Sequence, residues 1–230
     1  MKKISIMQIV VLFAITFFYS GAFALGDIQK YIKIGIILDV QSFITGSSKD
    51  FYVYDSANRR YVLTHGTVNI SCSLKGVKVG KYNLSLPVRI EPSNSVIFAN
   101  SKPYRGYLLL KKSGSKMNVI NVLYIEDYIK GVLPKEVGAD WHIEVLKAQA
   151  VISRTYAIAS LKNHCQQGFD LCSTTHCQVY GGLGVETKKT NQAVSETRGE
   201  VLTFKGNLAQ TVFHSTCGGR TEDPKYIWGW

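Results

Sequence analysis

At 230 residues, 46% of them hydrophobic, the chain is long enough for one large or two small domains around a real core, which excludes global disorder. Lys and Arg outnumber Asp and Glu 27 to 16, a formal net charge of +11. That excess points to anionic partners, while no recognisable nucleic-acid-binding motif is present, so nucleic acid is not the expected partner.

The chain opens with Lys2 and Lys3, then an apolar run from Ile4 to Tyr19, then Ser20-Gly21-Ala22-Phe23-Ala24. This reads as a secretory signal peptide over residues 1–24, cut after Ala24. An uncleaved anchor fits less well, because the run is short for a bilayer span and small residues follow it. No later segment is long and apolar enough to span, so no stable membrane span is expected after signal removal. The mature chain is expected to be exported, to a periplasm or a wall-facing space. Without Lys2 and Lys3 it carries 25 basic and 16 acidic residues, about +9. In that setting the excess suggests cell-wall polymer or a membrane surface, although a Lys-rich composition alone gives the same charge. Export permits disulfides, and the odd count of Cys72, Cys165, Cys172, Cys177 and Cys217 leaves at least one free, metal-bound or paired between chains.

Residues 25–103 read as a β-rich region. Ile32 to Leu38 is an apolar run, Phe51 to Asp55 alternates, and Tyr82 to Ile90 alternates through Pro87, which suggests an edge or a break. Tyr104 to Val122 reads as a further hairpin turning at Ser113-Gly114-Ser115. From Leu123 the pattern becomes helical. A short helix to Ile129 is expected, with Gly131 as its C-cap, then a loop carrying Pro134, Glu136 and Gly138. Asp140 is the expected N-cap of a long helix over about 141–163, whose middle, Ala148 to Ile158, is apolar on nearly every face and so makes the helix a buried hub. Arg154 lies inside that stretch and needs a carboxylate or carbonyl partner; Glu126 is the candidate. Thr190 to Glu196 reads as a short helix, and Glu200 to Phe204 and Ala209 to Phe213 as strands. The expected class is α+β, a β-rich N-terminal half packed on a helical core.

Glu136 sits between apolar neighbours just after Pro134. Desolvation there would favour the neutral acid, a usable proton donor. A solvated loop carboxylate beside Lys135 is the plainer reading of the local sequence. Cys172, His176 and Cys177, with His164 or Cys165 upstream, offer zinc-type ligands, and a disulfide from Cys165 to Cys172 or Cys177 is the alternative. A Cys177–His176 nucleophile pair is disfavoured, since adjacent residues rarely point at one another.

Several ordered pieces resemble the SpoIID/LytB family, the stage II sporulation protein D and amidase-enhancer proteins. They are Asn121 to Val132; Leu133-Pro134-Lys135-Glu136-Val137; Trp141 with Glu144 to Val151; Arg154-Thr155-Tyr156-Ala157; Cys172 to Tyr180; and His214 to Glu222. The likeness covers roughly Tyr104 to Trp230 and is loose over 26–103. It implies a peptidoglycan lytic transglycosylase acting on glycan strands stripped of stem peptides by an N-acetylmuramoyl-L-alanine amidase, with Glu136 as the essential acid. It also supports a structural zinc on Cys172, His176, Cys177 and His164, and a groove lined by His214 and Ser215. Arg154 and Tyr180 join these as expected substrate-binding residues, with Tyr156 and Trp141 left as packing. Family members continue past the Trp-Gly motif, so the resemblance implies that residues 104–230 are a C-terminally shortened core. A non-enzymatic amidase enhancer and a zinc hydrolase using the Cys/His cluster are the competing readings.

Overall fold

Alternation decides the first half of the chain. In Val88–Pro92 and Tyr107–Ser113 buried and half-buried side chains alternate over the first residues: Val88 and Ile90 are buried in one, Leu108 and Leu110 in the other. A pleated strand with one face on a core requires that spacing. The structure, a computed structural model, describes residues 31–73, 75–213 and 218–229. The signal expected at 1–24, and His214, Ser215 and Cys217, lie outside the described residues.

The strands run β1 (Tyr31–Val40), β2 (Ser42–Ser47), β3 (Phe51–Tyr54), β4 (Arg60–Leu63), β5 (Gly66–Ser73), β6 (Gly76–Val79), β7 (Tyr82–Leu84), β8 (Val88–Pro92), β9 (Ile97–Ala99), β10 (Lys102–Tyr104), β11 (Tyr107–Ser113) and β12 (Lys116–Tyr124). Helices α1 (Ile125–Glu136) and α2 (Ile143–Ala159) follow, then β13 (Leu171–Cys172), α3 (Lys188–Glu196), β14 (Thr203–Phe204), β15 (Asn207–Leu208) and α4 (Pro224–Trp228). One sheet has the order β13-β1-β12-β11-β8-β3-β4 and a second the order β10-β9-β2-β5-β6-β7. Val53, Ile90 and Leu110 of the first meet Phe43, Ile70 and Val79 of the second, and Tyr128, Leu133 and Ala150 of the helices, in one continuous core. Each such aliphatic side chain contributes about 1.5–3 kcal/mol by leaving water.

The architecture is the expected α+β arrangement, strand-rich first and helical after. The interruption at Pro87 and the Gly114–Ser115 turn are where the sequence placed them. Four details differ. Helix α1 runs on through Pro134, so Glu136 is its last residue rather than part of a loop; Pro134 removes one hydrogen bond to the preceding turn, and the core packing of Val132 and Leu133 holds the helix there. Gly131 is inside the helix, not a cap; glycine is needed there because the Tyr180 ring lies against it, and a Cβ would stand 2.4 Å from Tyr180 Cε2. Helix α2 is shorter than 141–163 and is capped by His142, not Asp140, with His142 Nδ1 accepting from the Glu144 amide at 3.3 Å. Its middle is the buried hub the sequence indicated: Gln149 to Ile158 are all buried or half-buried, Thr155 on the side opposite Leu146 included. Leu146, Ala150, Ser153, Arg154 and Ala157 face α1 and α3, while Val145 and Ala148 are exposed. The strand expected over Ala209 to Phe213 does not form, and the β14–β15 pair closes through the Lys205–Gly206 turn instead.

Candidate functional site

An edge of the larger sheet positions a cluster of four ligand side chains. β13 joins β1 in parallel, Ile34 opposite Leu171 and Gly35 opposite Cys172. The Lys33 amide donates to Asp170 Oδ2 at 2.9 Å, and the Asp170 amide returns a bond to the Lys33 carbonyl at 2.8 Å. Glycine is required at position 35, since a Cβ there would lie 2.9 Å from Phe169 Cε2. Phe169 is itself buried and stacks on His164, centroids 4.9 Å apart. The strand edge therefore fixes Cys172 directly and His164 through one aromatic ring.

His164 Nδ1 bonds Gln167 Oε1 at 2.9 Å, which turns Nε2 towards Cys177 Sγ at 3.3 Å. His176 Nδ1 lies 3.4 Å from Cys177 Sγ and 3.8 Å from Cys172 Sγ. The ligand atoms of His164, Cys172, His176 and Cys177 all lie within 4.8 Å of one another. Bonds of about 2.3 Å to sulfur and 2.0–2.1 Å to nitrogen around a tetrahedral ion put ligand atoms roughly 3.3–3.8 Å apart, so the arrangement fits a four-coordinate N2S2 metal site. The four residues the sequence singled out are thus brought together. His176 and Cys177 do face one centre, because a turn closed by the Cys177 amide on the Thr174 carbonyl (3.1 Å) curls both inward. Cys165 is exposed and outside the cluster, and Cys72, Cys165, Cys172 and Cys177 are all free thiols, so the alternative disulfide is not formed.

The two cluster thiols differ. Burial works against the Cys172 thiolate, but hydrogen bonds from the Thr174 hydroxyl and backbone, then Cys177 and His176, bring it down to about 6. Burial pushes Cys177 up to about 11, and its thiol neighbour Cys172 adds to this against the Cys172 amide. The pair holds about one proton at neutral pH and titrates as a unit.

Two residues past Cys177 the same loop reaches Glu136. The Val179 amide donates to Glu136 Oε1 at 3.2 Å. Gln178 between them is buried, donating to the Ser153 carbonyl at 3.3 Å and accepting from the Tyr128 hydroxyl at 3.2 Å. The Gly181 amide closes on the Gly131 carbonyl at 3.0 Å. The loop is thereby stitched to both α1 and α2. Burial raises the pKa of the Tyr156 hydroxyl, with smaller upward effects from Cys177, Cys172 and Glu136 against a hydrogen bond with Ser160. Glu136 is half-exposed. Among the described residues it has no ion-pair partner and its Oε2 accepts no hydrogen bond.

Two other carboxylates of these helices, Glu126 and Glu144, are engaged. Glu126 is buried and takes both ends of Arg154, Nε to Oε1 at 2.9 Å and Nη2 to Oε2 at 2.8 Å, plus the Gly199 amide at 3.1 Å. Glu144 pairs with Lys147 at 2.9 Å. The Glu126–Arg154 pairing matches the sequence reading, but Arg154 does not line a groove. It is 1% exposed, and its remaining donors satisfy the Val194 and Glu200 carbonyls. Tyr180 is likewise buried, its hydroxyl donating to Asn121 Oδ1 at 2.9 Å with Tyr104 and Tyr128 against its ring. The residue the sequence left as packing is the one that faces solvent: Trp141 is 52% exposed, its indole against Gly138, two residues from Glu136. Its signal was position, a large aromatic just ahead of a helix and close in sequence to the acid.

Residues 113–204, which contain Glu136 and all four cluster ligands, match the SpoIID family model, described as stage II sporulation protein. Among similar proteins, an uncharacterized protein of Brachyspira hyodysenteriae is 37% identical over 183 residues, 76% of this chain and 50% of its own. The amidase enhancer of Bacillus subtilis is 34% identical over 205 residues, 86% of this chain and 27% of its own. Stage II sporulation protein D of Bacillus subtilis is 31% identical over 119 residues, 45% of this chain and 35% of its own. The chain thus spans half the length or less of these relatives. The segment holding both Glu136 and the cluster is thus the part of the chain that is similar to the SpoIID family.

Proposed function

We propose that the protein is an exported peptidoglycan lytic transglycosylase that cleaves glycan strands stripped of stem peptides, with Glu136 as the single acid and base. The observation that carries this is the isolation of Glu136. Glu126 and Glu144 are held by cations, whereas Glu136 is half-exposed at a helix end with one oxygen oriented by Val179. Hydrolytic glycosidases use two carboxylates, one for the leaving oxygen and one for water or a covalent intermediate. A transglycosylase needs neither water nor a covalent adduct. The muramoyl C6 hydroxyl attacks its own anomeric carbon, the C1–O4 bond breaks, and a 1,6-anhydro ring forms. One carboxylic acid gives its proton to the departing O4 and its carboxylate then takes the C6 hydroxyl proton, so protons balance over the cycle. Trp141 stacks on a sugar beside the acid.

His164, Cys172, His176 and Cys177 would hold a zinc ion. Four protein ligands fill a tetrahedron and leave no position for substrate, so the metal's role is structural and a zinc-hydrolase reading loses its open site. The relatives' sporulation and amidase-enhancer names support an exported setting facing the wall, and among the described residues no helix is long and apolar enough to cross a membrane.

Purified protein incubated with amidase-treated peptidoglycan is expected to release anhydro-ended fragments, and Glu136→Gln to release none. Lack of anhydro ends from the parent protein would overturn the proposal. The amidase-enhancer relative favours a second reading, a module that binds glycan and stimulates an N-acetylmuramoyl-L-alanine amidase. Stimulation of an amidase undiminished by Glu136→Gln, with no anhydro product, would select it.

A further inference from the structure

The positive charge of the chain is confined to its strand-rich half. Residues 31–124 hold 13 Lys and Arg against 4 Asp and Glu, whereas residues 125–230 hold 11 of each. The half that carries Glu136 and the metal-ligand cluster is therefore neutral, and the +9 belongs to the two sheets. Where the sheets meet they leave an open cleft of about 840 Å³. The β5–β6 turn contributes Ser73 and Lys75, the segment before β8 contributes Ser85, and the β11–β12 hairpin tip contributes Lys112, Ser115 and Lys116. No carboxylate lines it. Among the described residues none of the three lysines has an ion-pair partner.

We propose that this cleft is a second binding site, for a linear polyol-phosphate polymer. Three ammonium groups with no counter-charge attract anions and focus them in a concave, lower-dielectric wall. Lysine acts as a point charge suited to phosphate, while planar carboxylates are better matched by the arginine fork, and no arginine lines the cleft. The serine hydroxyls supply hydrogen bonds for phosphate oxygens or polyol hydroxyls. No aromatic side chain lines the cleft, so it offers nothing on which a nucleic-acid base could stack. Leu86 is the one large apolar side chain in the lining, too little to enter a lipid layer. The site tethers the protein to an anionic polymer while the neutral half remains free for another substrate, and it stands whether or not Glu136 cleaves glycan.

The test is binding of a defined glycerol-phosphate oligomer at low salt, followed by calorimetry. Two variants remove equal charge: Lys75→Ser/Lys112→Ser/Lys116→Ser in the cleft, and Lys49→Ser/Lys162→Ser/Lys188→Ser elsewhere. All six lysines are exposed, and matching thermal midpoints confirm that both variants fold. The cleft variant is expected to lose about tenfold in affinity, as three screened charge contacts together amount to, and the control less than about threefold. Equal losses would mean diffuse attraction and overturn the site, as would no binding by the parent protein. Tighter binding of a polycarboxylate glycan or of single-stranded DNA of equal charge, or cleft-dependent binding to phosphatidylglycerol vesicles without binding to the soluble oligomer, would overturn the assignment of ligand.

Discussion

The Val179 amide holds Glu136 Oε1 at 3.2 Å, two residues beyond the cluster ligand Cys177. The loop that would wrap a metal is therefore the loop that aims the acid. Under the proposed function, this ties the Cys/His cluster to activity without any contact between metal and substrate.

Metal removal is the first consequence. The purified protein is expected to carry about one zinc per chain, and Cys177→Ser to lose it together with glycan cleavage, while Glu136→Gln keeps the metal and loses only cleavage. Gln167→Ala, which frees the outer nitrogen of His164, is expected to weaken metal binding about 10–100-fold. Because Cys172 sits near 6 and Cys177 near 11, metal uptake at neutral pH should release about one proton, readable as a buffer-dependent heat. Full cleavage by the chelated protein would sink the coupling of loop and acid.

Breaking the Arg154–Glu126 pair is a test of stability, not of substrate binding. Arg154→Met leaves a buried carboxylate without its cation and is expected to cost about 3–5 kcal/mol in urea unfolding. The double variant with Glu126→Leu should recover part of that. Recovery stays partial because the Val194 and Glu200 carbonyls and the Gly199 amide lose their partners too. A folded, stable Arg154→Met with weakened substrate binding would restore the groove assignment.

What the sequence revealed follows from the range of each interaction. Strands with strict alternation, the Gly114–Ser115 turn and the α1–β12 junction are decided by neighbours a few residues away, and those were legible. The four ligands were legible because their types are rare and lie within fourteen residues of one another. The Arg154–Glu126 pair could be inferred because a guanidinium in an apolar stretch demands a partner. The roles of Tyr180 and Trp141 were not legible. Both are aromatic residues near motifs, and only packing against Gly131 and Asn121 buries one while the turn at Gly138 leaves the other in solvent. Glu136 at a helix end was missed for a similar reason, since Pro134 and Gly131 read locally as helix breakers but are accommodated by tertiary contacts.

Trp141 now becomes the residue to test for sugar contact. Trp141→Ala is expected to raise KM for glycan about fivefold with kcat little changed, the pattern of a lost stacking contact made equally in ground and transition states. Trp141→Phe should recover most of it. An unchanged KM, or a loss of kcat alone, would remove Trp141 from the groove.

Asp55 gives the strand-rich half a defined acid response. Its carboxylate is buried in the β3–β4 turn, where Oδ1 accepts from the Ala57 and Arg59 amides at 3.0 and 2.9 Å and Oδ2 from Arg59 Nε at 2.7 Å. Burial alone would raise the carboxyl, but the Arg59 backbone and guanidinium and the Ala57 amide outweigh it and hold it below the usual range. A folded value below the unfolded one means stability that is complete above about 3.9 and lost as pH falls through the lower folded value. The thermal midpoint of Asp55→Asn should therefore lie below that of the parent protein from pH 5 to 7, and the gap should close as pH drops under about 3.9. Arg59 is 72% exposed, so its charge is screened and the backbone donors carry most of the effect. High salt should accordingly leave most of the gap at neutral pH. A gap that widens in acid, or vanishes in salt, would contradict this account of the turn.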